Sequence, residues 1–125
     1  MSKAVLYMSV SLDGFIAAPN DVPGNGLGDG GHRLHEWIMT DADGGHKEAA
    51  DRLEGENREV MDEVMATGAV VVGRRTFEHA GGWDGDHHDG VPIFVLSRHQ
   101  PAAAMQWPAV TYVSDVTSAI HMAKD

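Results

Sequence analysis

Residues 68–78, which read Gly-Ala-Val-Val-Val-Gly-Arg-Arg-Thr-Phe-Glu, decide the fold class of this chain. The apolar run Ala69–Val72 lies between two glycines, and its β-branched valines favour a short strand that is buried on both faces. Gly73 allows a tight turn, and we predict that a helix begins with Arg74 and Arg75. A strand that continues directly into a helix is typical of an α/β protein with a parallel sheet.

The two arginines at this junction predict an anion-binding site. A helix N-terminus presents unpaired N–H groups and a partial positive charge. The guanidinium groups of Arg74 and Arg75 add a shape that matches phosphate oxygens. Because the chain has a formal net charge of −10, adjacent arginines are a local exception, and phosphate is the ligand that we expect. The alternative is that both arginines only pair with acidic side chains on the surface.

Length and composition limit the class of protein and its partners. A chain of 125 residues can bury one core, and 42% apolar with 22% charged residues is typical of a globular domain. Cysteine is absent, which excludes disulfides and thiolate metal sites and is compatible with the cytoplasmic location that we expect. No apolar run is long enough for a membrane span, and the acidic balance argues against nucleic acid or a membrane surface as a partner.

Three further strands and three further helices are predicted around this stretch. The strands are Ala4–Val10, Pro92–Leu96 and Val110–Val113, and the helices are Leu34–Met39, a helix capped by Asn57 that runs to Thr67, and a last helix capped by Ser114 or Asp115. Strands that alternate with helices imply a mostly parallel central sheet flanked by helices. We therefore expect a single α/β domain over residues 1–125.

Two patterns imitate binding motifs without their usual context. Gly26–Gly31 satisfies G-x-G-x-x-G, but no strand directly precedes it, so we interpret it as a flexible loop. Histidines at 32, 35, 87 and 88 offer nitrogen ligands near acidic residues. The second pair lies in Gly81–Gly90, which we expect to be a mobile polar loop that holds no preorganised site. We predict that no functional metal is bound.

Taken together, the segments resemble the dihydrofolate reductase fold. The nearest branch is the one that contains the reductase domain of riboflavin biosynthesis (the RibD C-terminal domain). The resemblance is carried by four stretches, whose order and spacing match across nearly the whole chain. They are Ser11–Ala17 after the first strand, Gly73–Glu78 after the second, Ile93–Arg98 at the third, and Val110–Val113 before the last helix.

This resemblance implies an NADPH-dependent reductase of a pteridine-like or ribosylaminouracil-like heterocycle, of the 5-amino-6-(5-phosphoribosylamino)uracil reductase type, usually a homodimer. The family's next strand carries a Gly-Gly motif, and later strands complete its sheet. No counterpart of these strands is found in the sequence, so we expect the fold to lack its C-terminal strands and to expose a sheet edge. The alternative is a non-catalytic nucleotide-binding or assembly module.

The resemblance also implies which residues contact NADPH. In chain order these are Met8 and Ser9 at the nicotinamide carboxamide; Asp13, Gly14, Ile16 and Ala17 in a loop over the nicotinamide; Gly73, Arg74, Arg75 and Thr76 at the pyrophosphate and 2′-phosphate; and Leu96, Ser97 and Arg98 on the adenosine side. Ser97 and Arg98 follow a strand, where α/β sheets bind ligands. A polar exit from the strand is the alternative interpretation of that pair.

Candidates for catalysis and substrate binding lie in the first third of the chain. The cofactor supplies the hydride, and the protein supplies position and sometimes a proton donor. Asp13 and Glu36 are the candidate acids, although alignment of Trp37 with the family's tryptophan places the family's acid on Leu34. Asp13 beside Gly14 is equally explained as a turn former. Trp37 is predicted to stack on the substrate heterocycle, with a core anchor as the alternative.

Overall fold

A computed structural model describes residues 2–38 and 52–125 of the chain. The chain divides into two compact units, Met1–Thr67 and Gly68–Asp125. The second unit contains the three strands of a parallel sheet, which confirms the predicted α/β class. The acidic stretch that begins at Asp41 lies mostly outside the described residues, as does Met39.

The sheet consists of β1 (Val70–Gly73), β2 (Ile93–Leu96) and β3 (Val110–Val113). Its strand order is β1-β2-β3, and both neighbouring pairs are parallel. The three strands begin within one residue of their predicted starts. Pro92 lies just before β2, because proline has no N–H to donate to a neighbouring strand. Its carbonyl accepts a hydrogen bond from the Val70 N–H at 2.9 Å.

The described residues contain three α-helices: α1 (Gly55–Met65) in the N-terminal unit, and α2 (Arg74–His79) and α3 (Val116–Lys124) in the C-terminal unit. Short 3₁₀ turns are found at Gly31–His35, Gly81–Gly85 and Ala103–Met105. The last helix begins as predicted, with Asp115 as its N-cap. The first begins earlier than predicted, because Glu54 and not Asn57 is the N-cap residue. None of the described helices has the length and apolarity needed to cross a bilayer.

The core of the C-terminal unit covers both faces of β2. Ile93 and Val95 are fully buried on one face, with Phe77 of α2. Phe94 is buried on the other face with Val113, under Ala119 of α3. Three consecutive buried residues are expected for the middle strand of a parallel sheet, because helices cover both of its sides. The helix α2, which carries the paired arginines, is therefore anchored by its own fully buried phenylalanine.

The predicted strand Ala4–Val10 is wrong. Residues 2–10 carry no regular secondary structure, and Leu6 is 87% exposed, with Val5, Met8 and Val10 also largely exposed. A strand is stable when its N–H and C=O groups have ladder partners and one face is buried. Within the described part of the chain this segment has no ladder partner. Its contacts are made by side chains instead, and one of them is an ion pair between Lys3 Nζ and Glu63 Oε1 at 3.0 Å.

The predicted helix Leu34–Met39 is replaced by the 3₁₀ turn Gly31–His35 and a further turn. Gly30, in the left-handed region with φ 77°, precedes the turn, and long i to i+3 bonds of 3.4 Å hold it. Glycines at the start of a segment disfavour a regular helix because they lose much backbone entropy on ordering. Residues 26–30 form turns and Gly31 begins the 3₁₀ turn, which agrees with the interpretation of Gly26–Gly31 as a loop.

The segment Gly81–Gly90 is more compact than the expected mobile polar loop. Gly82, Gly85 and His88 are buried, and the Trp83 ring packs 5.8 Å from the Phe77 ring and 4.7 Å from the His87 ring. The apolar face of Trp83 explains the difference, because its burial holds the turn against the core. The polar composition of the segment predicts a solvated loop, and it gives no indication that Trp83 packs against the core.

Candidate functional site

The carboxyl ends of the three strands lie side by side at one edge of the sheet. β1 ends at Gly73, β2 at Leu96 and β3 at Val113, and all three strands run in the same direction. In open α/β sheets, ligands bind at this edge. We call residues 73–76, 96–98 and 114–116 the carboxyl edge. It brings together two of the segments that were predicted to contact the cofactor.

A shallow groove of about 370 Å³ lies between the ends of β2 and β3. Its lining residues are Leu96, Ser97, Arg98, Ser114, Asp115 and Val116. The Ser97 hydroxyl is engaged in a local turn, since it donates to the His99 carbonyl and accepts from the His99 N–H, both at 3.0 Å. Within the described residues Arg98 forms no ion pair, so its guanidinium group remains available to a ligand.

Arg74, the first of the two arginines that follow β1, has a partner inside its own helix. The Arg74 guanidinium donates to both carboxylate oxygens of Glu78, at 3.0 and 3.2 Å. Gly73 is the N-cap of α2 and provides no side-chain cap. Arg74 is half-buried, whereas Arg75 and Thr76 are exposed. A phosphate at this position would therefore meet uncapped N–H groups, and it would compete with Glu78 for Arg74.

Asp115 contributes a negative charge to the carboxyl edge. Its Oδ1 accepts the Ser118 N–H at 2.8 Å, which caps α3. Hydrogen bonds from the Ser118 backbone, then from the Ser118 side chain, hold the pKa of Asp115 below its ordinary value. The carboxylate is therefore ionised at neutral pH. Because the pKa is lowered in the folded state, this stabilisation is present above the ordinary pKa and is lost as the pH falls.

A second depression, a cleft of about 360 Å³, lies in the N-terminal unit. Its walls come from residues 11–18 and 30–36, and they include Phe15 and Leu34 as apolar surfaces. Ala17 and Glu36, both predicted site residues, line this cleft. Arg33 lines it too, and the sequence analysis missed it. Its spacing could have indicated it, because Arg33 lies three residues before Glu36 and a 3₁₀ turn places residues three apart on the same side.

Asp13 and Gly14 form a tight turn. The Ser11 hydroxyl donates to Asp13 Oδ1 at 2.6 Å, and the Phe15 N–H donates to the Ser11 Oγ at 2.9 Å. Gly14 has φ 91°, a left-handed conformation that glycine adopts readily. These contacts agree with the turn-former interpretation of Asp13. The loop leaves Phe15 and Ile16 largely exposed, at 63% and 51%.

Trp37 and Ser9 are brought together in the N-terminal unit. The Trp37 indole N–H donates to the Ser9 hydroxyl oxygen at 3.2 Å. Trp37 is 37% exposed and Met8 is 51% exposed, so both retain surface for contact with a ligand. Glu36 is exposed, and His32 Nε2 lies 4.0 Å from its Oε1. Trp37 is therefore neither a fully buried core anchor nor a free surface residue.

The histidines in the part of the chain that the structure describes do not assemble a set of metal ligands. The Nδ1 atoms of His87 and His88 lie 2.7 Å apart, which is a hydrogen-bond distance. Among residues 2–38 and 52–125, no group of three or more histidine, aspartate or glutamate side chains is placed to hold a metal ion.

The comparisons with known proteins provide no relative for this chain. No family model matches it, and neither a curated protein nor a solved structure does. Any functional assignment must therefore rest on the chemistry of the carboxyl edge and the N-terminal cleft, together with the motifs of the sequence.

Proposed function

We propose that this chain is an NADPH-dependent reductase of a small heterocycle, with a dihydrofolate-reductase-like domain of the riboflavin-biosynthesis type. One observation supports this proposal more than any other. The parallel order of β1 and β2 makes Gly73–Thr76 and Leu96–Arg98 neighbours at the carboxyl edge. These are the segments that the resemblance assigns to the phosphates and the adenosine.

Each part of the carboxyl edge has a distinct role in this proposal. The N–H groups at the start of α2 and the guanidinium groups of Arg74 and Arg75 bind phosphate oxygens. Arg98 provides a further positive charge beside the end of β2. In the N-terminal unit, the cleft with Phe15, Arg33 and Glu36 holds the heterocycle. Bound NADPH supplies the hydride, and the residues of the chain supply position.

Cofactor preference tests the phosphate site. We expect NADPH to bind more tightly than NADH, because only NADPH carries the 2′-phosphate. A charge-assisted hydrogen bond contributes about 1.5–3 kcal/mol, so Arg74→Ala or Arg75→Ala should weaken NADPH binding about tenfold or more. Fluorescence titration with both cofactors measures this.

The ion pair with Glu78 provides a second, opposite test of the same site. Glu78→Gln removes the competing carboxylate, so NADPH should bind several-fold more tightly. Asp62→Asn is the matched control, because it removes the carboxylate from a similar pair, formed with Arg58 on α1 at 2.8 Å, in the other unit. Equal affinities for NADPH and NADH, or arginine variants that bind NADPH like the unchanged protein, would remove the support for this phosphate site.

The alternative function is a non-catalytic nucleotide-binding or assembly module. The observation that favours it is the engagement of Asp13 in its own turn, which leaves this candidate acid with a structural role. Turnover separates the two functions. A reductase consumes NADPH when a pteridine or an aminouracil substrate is added, and the absorbance of the reduced nicotinamide falls. Tight binding without consumption for any heterocycle of these classes would favour the module.

We further propose that the chain forms a homodimer through a sheet edge. β1 and β3 are the outer strands of the described sheet, and outer strands carry N–H and C=O groups that readily pair with another chain. Sedimentation at micromolar concentration should show a dimer. A cooperatively melting monomer across a wide concentration range would contradict this proposal.

A further inference from the structure

The groove between the ends of β2 and β3 carries two opposite charges. Arg98 lies on the β2 side and Asp115 on the β3 side, and no ion pair joins them in the described part of the chain. The hydroxyl of Ser97, which directly follows β2, is already hydrogen-bonded to the backbone of His99. The groove therefore presents a strong donor in Arg98 and a strong acceptor in Asp115.

The Asp115 carboxylate retains acceptor capacity although it caps α3. The carboxylate accepts hydrogen bonds from the backbone and the side chain of Ser118, but an ionised carboxylate offers about four lone-pair positions on two oxygens. The side chain is exposed to solvent, so a ligand can reach the remaining positions. A sugar hydroxyl both donates and accepts hydrogen bonds, and it matches this pair of groups. A phosphate only accepts, so it matches Arg98 but is repelled by Asp115.

We propose that Asp115 is a specificity-determining residue, which accepts a hydrogen bond from a ribose hydroxyl of an adenine nucleotide and disfavours a 2′-phosphate in this groove. The inference rests on the proposed nucleotide-binding function of the carboxyl edge. In other dinucleotide-binding sheets, an acidic side chain binds the ribose 2′-hydroxyl, whereas an arginine accommodates the 2′-phosphate. Here one groove contains both groups, so Asp115 moderates the preference that the arginines establish.

Two fragments that differ only in the 2′-phosphate test this role. AMP and adenosine 2′,5′-bisphosphate are titrated by calorimetry into the unchanged protein and into Asp115→Asn. Asparagine caps a helix about as well as aspartate, so the substitution removes the charge and retains α3. The bisphosphate should bind about three- to tenfold more tightly to Asp115→Asn, because a repulsive charge near the phosphate is gone. AMP binding should change less and in the opposite direction.

Asp125→Asn is the matched control, because it removes the same charge from the exposed C-terminal residue outside the groove. The quantity to compare is the ratio of the affinity for the bisphosphate to the affinity for AMP. If this ratio is unchanged in Asp115→Asn, or shifts equally in Asp125→Asn, the role of Asp115 is overturned and the proposed function still stands. If the unchanged protein binds neither the two fragments nor NADPH, the proposed function fails and this inference fails with it.

Discussion

Phe77→Ala is expected to lower the free energy of unfolding of the C-terminal unit by about 3–5 kcal/mol, the usual cost of removing a buried phenylalanine ring. Phe77 is fully buried, and its ring lies 5.8, 6.0 and 6.1 Å from the rings of Trp83, Trp107 and Tyr112. Removal of the ring leaves a cavity under α2. Urea unfolding followed by tryptophan fluorescence measures the loss.

Two further variants make this result specific to the core. Phe77→Leu should recover part of the lost stability, because leucine refills some of the cavity. Phe15→Ala should change the unfolding midpoint little, because Phe15 is 63% exposed. If Phe77→Ala unfolds at the same urea concentration as Phe15→Ala, the ring cluster is not the core of this unit. Weaker NADPH binding by Phe77→Leu is also expected, because α2 carries Arg74 and Arg75.

Gly85→Ala is expected to lower the same free energy by about 2–5 kcal/mol. Gly85 has φ +82°, and a Cβ added there would overlap the Trp107 ring at Cγ. The left-handed backbone costs a residue with a Cβ about 1–2 kcal/mol, and forcing atoms into a packed core costs about 1–3 kcal/mol more. Thermal unfolding monitored by circular dichroism is a suitable measurement.

Gly81→Ala is the matched control for this substitution. Gly81 has φ +64°, but an added Cβ would meet no atom within 4 Å. It should therefore show only the backbone cost of about 1–2 kcal/mol. Equal destabilisation by Gly85→Ala and Gly81→Ala would mean that the contact of the turn with Trp107 contributes nothing to stability.

Local sequence patterns were sufficient to predict much of the secondary structure of the C-terminal unit. Val110–Val113 was predicted at its observed bounds, and Asp115 was one of two predicted caps for α3. β-branched runs and an aspartate before an apolar repeat act over a few residues, so the sequence shows them directly. The pairing of Arg74 with Glu78 was also accessible, since residues four apart meet on a helix face. It corresponds to the alternative interpretation of the two arginines, in which they pair with acidic side chains on the surface.

The sequence by itself determined the α/β class, the positions of three strands and the basic residues that follow β1 and β2, because these depend on composition and short-range periodicity. Only the tertiary structure decided that Ala4–Val10 lacks strand pairing, since a strand depends on partners distant in the chain. It also decided that Trp83 packs the polar turn onto Phe77. The opposition of Arg98 and Asp115 in one groove arises because β2 and β3 are parallel neighbours.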